Sequence, residues 1–259
     1  MSFVTLSVVS HGHHKHVELL LRDLARQTIS DRLLVILTLN VPEPEPDLAS
    51  FAPLHLRIIR NSKPIGFGAN HNAALRSADS PWVMIVNPDI RINDPSVISR
   101  LVERELTEGV GLVAPVIYNS YGVREDAVRG NLDPVSLFKR VVIGKRSVID
   151  ASFRSKYFTW FAGMFLALPL QAWRAVDGFD ERFFLYCEDY DLCVRLDRQG
   201  YALETYEDLG VVHNAQRSSK VSRRYFRWHF TSLIQVWASL SFWRIWISDI
   251  TGLCRRCRR

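Results

Sequence analysis

PWVMIVNPDIRI, residues 81–92, is the stretch whose reading decides the fold. Trp82–Val86 is an unbroken apolar run without polar alternation, the pattern of a strand buried on both faces of a parallel sheet. It stops at Asn87-Pro88-Asp89, a tripeptide that favours a turn. In open α/β sheets ligands bind beyond the carboxyl ends of the strands, so a carboxylate at 89 stands at the mouth of the sheet. A divalent cation bound to a diphosphate needs one or two such carboxylates, because phosphate and water oxygens complete its shell. Taken alone, the tripeptide reads more simply as a plain turn.

Outward from this run, strand-like stretches (Phe3–Val9, Leu33–Leu39, Leu54–Ile59, Val110–Ile117) alternate with helix-like ones (Val17–Ala25, Asn70–Ser77, Val97–Leu106). The alternation predicts an α/β fold with a Rossmann-like, mostly parallel sheet flanked by helices. The loops after Val9, Leu39, Ile59 and Val86 are then the ones to carry a site. Pro42–Pro46 reads as a stiff, exposed connection without chemistry, and the weakly periodic Tyr118–Tyr157 as a lid or binding loop. With 259 residues, 47% hydrophobic, the chain buries a core unaided. Its four cysteines (Cys187, Cys193, Cys254, Cys257) make no disulfide framework. The start, MSFVTLSVVSHGHHKH, lacks a basic segment, a long apolar run and a cleavage site, which predicts a cytoplasmic protein.

Three further motifs carry chemistry. Gly66-Phe67-Gly68-Ala69-Asn70-His71-Asn72 sits between a strand and a helix, where glycines let backbone approach a ligand and helix-start amides favour an anion; it lacks the dinucleotide fingerprint and is weak by itself. Gly178–Leu192 gathers Glu188, Asp189 and Asp191 after an aromatic run, at the start of a helix. Acids there suit the helix dipole, but capping needs one, and a second facing a cleft can deprotonate a hydroxyl. His213 ends the apolar pair Val211-Val212, where a histidine is a metal ligand, a phosphate donor or a satisfied surface residue.

Net charge is +6, unevenly placed: residues 217–259 hold ten Lys/Arg against Asp249, so the remainder is slightly acidic. This argues against a nucleic-acid binder with a basic face across its main domain. Phe226, Phe230, Leu233, Trp237 and Leu240 recur at helical spacing as one stripe, and the uncharged run 230–243 is shorter than the roughly 20 residues of a membrane span. The stripe suits a helix lying in an anionic membrane surface, or packing on the catalytic body or a second subunit.

Read together, NPD at 87–89, GFDERFFLYCEDYDLCVRL at 178–196 and VVH at 211–213 resemble the family 2 glycosyltransferases, in their rhamnosyltransferase-like branch, from about Leu6 to Phe230. The resemblance implies a GT-A fold and inverting transfer from a nucleoside-diphosphate sugar with a divalent cation, Mg²⁺ or Mn²⁺. It places Asp89 as metal ligand, Asn87 where the family's motif begins with aspartate, and His213 on the metal or diphosphate, with Arg217 nearby. Asp189 falls on the catalytic base, Glu188 beside it and Asp191 supporting the geometry. Asn61, Gly66, Phe67 and Asn70 match the donor pocket, with Ser10 and His11 on the loop after the first strand; Gly163 and Met164 match the loop beneath donor and acceptor. The family's Asp-Asn-Gly-Ser after the second strand is absent: Leu37-Thr38-Leu39-Asn40 leaves Thr38 or Asn40 to hold the base by neutral hydrogen bonds. The branch points to dTDP-rhamnose and a lipid-linked or polysaccharide acceptor in bacterial surface glycan synthesis such as O-antigen of lipopolysaccharide, at the inner face of the cytoplasmic membrane. Residues 1–217 would form the catalytic domain (nucleotide-sugar half about 1–117, acceptor half about 118–217) and 218–259 a basic helical tail. UDP- or GDP-sugar use, or a silent glycan- or nucleotide-binding module, are the competing readings; a homo-oligomer is compatible with each.

Overall fold

The computed structural model describes residues 3–132, 158–214 and 223–251. Strands β1 (Val4–Ser10), β2 (Leu33–Leu39), β3 (His55–Arg60) and β4 (Trp82–Val86) pair in parallel in the order β3-β2-β1-β4. Helix α1 (His14–Ala25) follows β1 and α2 (Phe67–Leu75) follows β3. Trp82, Met84 and Val86 enter one apolar core while Val83 and Ile85 enter the other, so the run is buried on both faces as its composition requires. The chain leaves β1 toward β2 on one side and returns at β4 on the other. That reversal puts a ligand crevice beyond the ends of β1 and β4.

Beyond β4 the sheet becomes mixed. Strand β5 (Ile90–Arg91) is an edge fragment, α3 (Val97–Val102) leads to β6 (Val110–Asn119), and β7 (Val128–Gly130) pairs with β8 (Thr159–Phe161) in a separate ribbon. Strand β9 (Phe165–Pro169) runs antiparallel between β4 and β6; α4 (Leu170–Ala175), α5 (Glu188–Arg198) and β10 (Ala202–His213) follow. The sheet order is β3-β2-β1-β4-β9-β6-β10-β5, with four parallel and three antiparallel ladders among the described residues. The helix expected to Leu106 stops at Val102. The lid or binding-loop expectation at 118–157 falls mainly on residues outside those described.

The C-terminal stripe is not one surface. Helix α6 (Arg223–Ala238) ends at Ser239 and α7 (Leu240–Thr251) begins anew. Leu233 and Val236, with Phe242 and Ile245, are buried in the second core, whereas Phe230 and Leu240 are exposed. Trp237 is tied inward by its Nε1, which donates to Leu132 O at 2.9 Å. The break rotates the expected stripe apart: the sequence spacing continues, but the helix does not.

Candidate active site

Asp89 is positioned from three directions. Asn87 N donates to Met164 O at 2.9 Å, and Ile90 N closes a turn on Asn87 O at 3.2 Å. Just downstream, Asp23 of α1, with no exposed surface, accepts from Arg91 Nε at 2.6 Å and Ile92 N at 3.1 Å. Strand β10 then pairs His213 with Ile90, and Asn214 N donates to Asp89 O at 2.8 Å. His213 thus lies between two carboxylates, Nε2 3.2 Å from Asp89 Oδ2 and Nδ1 2.8 Å from Glu125 Oε2. Burial alone would lower its pKa; the hydrogen bonds and charges of Asp89 and Glu125 outweigh that and raise it to about 9. Asp89 shows the mirror image: burial opposes its charge, yet His213 holds it below the usual carboxylate range. Asp89 Oδ1 is buried and accepts from no other residue among those described. An orphaned buried oxygen on a carboxylate is a fit for a hard cation. His213 fits less well as a ligand, because both ring nitrogens are engaged and the imidazolium has no lone pair to give. Among the described residues no group of three or more His, Cys, Asp or Glu side chains could hold a metal ion, so a cation here would rely on Asp89 and ligand oxygens.

Asp189 stands at the start of α5, and the chain bends sharply to put it there. Tyr186 (φ 72°) and Cys187 (φ 65°) are consecutive left-handed residues, a conformation costing non-glycine residues roughly 1 kcal/mol or more each and concentrated at functional sites. The bend presents the partly exposed Asp189, while Glu188 is buried at 5% exposure with Oε2 unpartnered. Asp189 Oδ2 accepts from Gly163 N at 3.0 Å and Oδ1 from Tyr190 N at 2.8 Å. Burial raises the Asp189 carboxyl, against the pull of those two amides; burial, then the charge of Asp189, raises Glu188 and favours its neutral acid. Asp191 pairs with Arg195 at 2.7 Å, which also donates to Gly178 O at 2.7 Å, bracing the bend.

The turn Gly163-Met164 joins the two halves. Its Gly163 amide holds Asp189, and its Met164 carbonyl holds Asn87 two residues before Asp89. Phe67 packs against it, 3.4 Å from where a Gly163 Cβ would lie, and Phe67 N donates to Phe184 O at 2.9 Å. Gly66 and Gly68 admit protein more than ligand: a Cβ would fall 2.9 Å from Phe184 O at Gly66 and 2.6 Å from Phe179 Cβ at Gly68.

At the ends of β1 and β2, Asn61 Nδ2 donates to Asn40 Oδ1 at 2.9 Å and to Asn70 Oδ1 at 2.7 Å. Asn40 Oδ1 also accepts from Ile65 N at 3.0 Å, and its Nδ2 meets Ile65 O at 3.1 Å and His11 Nδ1 at 3.3 Å. This amide network is spent on itself, and Asn70 and Thr38 are essentially unexposed, so they shape the pocket wall from behind. The acid at this end is instead Glu43, in the Pro42–Pro46 stretch that sequence reading left without a role. Glu43 accepts from Ser10 Oγ at 2.8 Å and Gly12 N at 3.1 Å, clamping the loop that bears His11. Neither Glu43 nor Glu125 carries a local signal in the sequence, since both are recruited by partners more than 30 residues away. Arg217 lies outside the described residues. A cavity of about 600 Å³ lined by Asn72, Trp173, Arg174 and Asp180 among others includes neither Asp89 nor Asp189 and is separate from this constellation.

The fold is that of the GT-A glycosyltransferases, and residues 4–231 match the model of the glycosyltransferase like family 2, to which the chain belongs. It is 24% identical to rhamnosyltransferase WbbL of Escherichia coli (strain K12) over 244 residues, covering 88% of this chain and 90% of that protein. Identity is 22% with the N-acetylglucosaminyl-diphospho-decaprenol L-rhamnosyltransferase of Mycobacterium tuberculosis (strain ATCC 25618 / H37Rv), covering 82% of this chain and 76% of that one. Among solved structures, the mannosyltransferase PcManGT from Pyrobaculum calidifontis, in complex with GDP-Man and Mn²⁺, superposes with a TM-score of 0.63 at 19% identity. That match covers 90% of this chain but 64% of the mannosyltransferase. S. aureus TarS 1–349 with UDP-GlcNAc gives a TM-score of 0.61 at 14% identity, over 93% of this chain and 68% of that one.

Proposed function

We propose that this glycosyltransferase moves rhamnose, with inversion, from dTDP-rhamnose to a lipid-linked or polysaccharide acceptor in bacterial surface glycan synthesis. The observation carrying the reading is that one turn ties both carboxylate segments: Gly163 N donates to Asp189, and Asn87 N, two residues before Asp89, donates to Met164 O. Inversion is one in-line displacement at the anomeric carbon: the acceptor oxygen forms the new bond as the bond to the diphosphate breaks. Asp189, raised by burial, takes the acceptor proton; Glu188, kept neutral, leaves that single charge in place. Asp89 would hold a divalent cation, Mg²⁺ or Mn²⁺, whose contribution when bound is to neutralise the diphosphate. His213 fixes Asp89 and reaches a cation only by giving up that contact. His11 lines the nucleoside side, while Ser10, with no exposed surface and its Oγ donating to Glu43, holds that loop from behind; residues 1–217 are taken as the catalytic unit with 218–259 as its tail. The rhamnosyltransferase relatives favour the donor; the absence of an acid at Thr38 and Asn40 leaves UDP- and GDP-sugars as the second reading.

No helix among the described residues is long and apolar enough to cross a membrane. Ile234, Leu240, Trp243 and Ile247 are nonetheless 40–76% exposed on α6 and α7, near exposed Arg227 and Arg244. Apolar side chains beside cations suit an anionic membrane surface, where a lipid-linked acceptor resides. The test is release of nucleoside diphosphate from dTDP-rhamnose, UDP- and GDP-sugars with Mg²⁺ or Mn²⁺, scored with and without chelator, and the anomeric configuration of the product. Cation-dependent turnover of dTDP-rhamnose with inversion is the expected result. Turnover of no donor, or retention of configuration, overturns the reading.

A further inference from the structure

The bend that delivers Asp189 also leaves aromatic rings facing outward. Phe184 is 37% exposed and Tyr186 38%, both within five residues of the partly exposed Asp189. They are matched by rings from α6: Phe184 lies 4.7 Å from Trp228 and Tyr186 lies 5.0 Å from His229, each pair tilted. Helix α6 is fastened to the same segment by Ser232 Oγ, which donates to Leu185 O at 3.2 Å. Tyr186 stands three residues before Asp189 on the bend that opens α5, so this ring pair flanks the segment that carries the carboxylate. Tyr186 holds its exposed position in a left-handed conformation at φ 72°.

We infer that Tyr186 and His229, backed by Phe184 and Trp228, form the acceptor-sugar subsite: a ring platform on which the apolar face of the acceptor saccharide rests while its hydroxyl meets Asp189. Sugars present C–H faces and hydroxyl edges, and a tyrosine beside a histidine offers one surface for the face and polar atoms for the edge. The platform is built jointly by the catalytic bend and by the first C-terminal helix, so acceptor binding is completed by an element outside the strand-and-helix body. This inference rests on the transfer reaction proposed above, and the experiment separates the two. Donor hydrolysis uses water as acceptor and does not need the platform. Tyr186→Asn keeps a residue tolerant of the left-handed conformation, and His229→Ala sits on an exposed helix position. With an acceptor saccharide titrated, each variant is expected to raise acceptor KM about tenfold, while His229→Ala leaves donor KM and donor hydrolysis as in the parent. Tyr186→Phe, which keeps the ring face, is expected to recover most of the acceptor affinity. Unchanged acceptor KM in both ring-deleting variants, or an equal loss of hydrolysis and transfer in His229→Ala, overturns the subsite. Absence of donor hydrolysis in the parent protein overturns instead the reaction on which it rests.

Discussion

Replacing Asp189 by Asn separates catalysis from folding, and the structure sets the size of both effects. The carboxylate accepts two backbone hydrogen bonds, Gly163 N on one oxygen and Tyr190 N on the other. An amide keeps one acceptor and turns a donor toward the second N–H, leaving one amide unsatisfied at about 1–3 kcal/mol. Removing a buried charge returns part of that, so a stability loss near 1 kcal/mol is expected against a typical total of about 5–15 kcal/mol. The rate effect is larger. An amide cannot take the acceptor proton, and general-base assistance is worth roughly 10²- to 10⁴-fold, about 2.7–5.4 kcal/mol of barrier. Transfer kcat should fall by that factor, donor KM should hold within about threefold, and thermal unfolding should shift by a few degrees. Initial rates of nucleoside diphosphate release, donor titration and circular dichroism read the three separately. A variant that keeps more than half its kcat refutes the assignment of the base.

Three further outcomes follow from other parts of the molecule. His71 has no exposed surface, lies 2.8 Å from Ser7 Oγ, and burial lowers its pKa from 6.5 to about 3; its contribution to stability is therefore complete above pH 6.5 and declines below it, because the unfolded chain gains a proton that the folded one refuses. The loss at pH 5 is about 2 kcal/mol, read from urea midpoints as the change between pH 7.5 and 5 in the stability difference between the parent and His71→Gln, which cancels the opposite contributions of His213 and Glu188. Asp23→Ala strands Arg91, only 27% exposed, and should cost toward the lower end of about 3–5 kcal/mol while weakening donor binding through displacement of Asp89; unchanged chemical denaturation would contradict this. Ile234→Glu with Trp243→Glu should abolish co-sedimentation with anionic vesicles and leave turnover of a soluble acceptor intact, and undiminished vesicle binding would count against the membrane face.

The parts of the fold legible in the sequence are those where composition and environment coincide. Leu33–Leu39 and Trp82–Val86 are strands with the expected bounds, since a run buried on both faces has no other pattern to show. Glu188, at the expected helix start, was legible because three acids after an aromatic run exceed what capping needs. Strand β9 was not: Phe165–Pro169 is as apolar as its neighbours, and nothing local says that it inserts antiparallel between β4 and β6. Glu43 and Glu125 were hidden for a related reason, as their roles come from partners brought near by the sheet. Gly66 and Gly68 carry a signal the sequence does not resolve, because a tight approach by Phe184 and Phe179 looks the same there as a tight approach by phosphate.

The central claim is that Asp89 and Asp189 flank one bound nucleotide sugar. Manganese-edge anomalous diffraction from crystals holding Mn²⁺ and the donor nucleoside diphosphate tests it most directly. A peak against Asp89 Oδ1, with the diphosphate running from it toward the Gly163-Met164 turn and Asp189 beyond, is the result expected. A peak in the separate cavity bounded by Asn72 and Trp173, or a diphosphate directed away from Asp189, would contradict it.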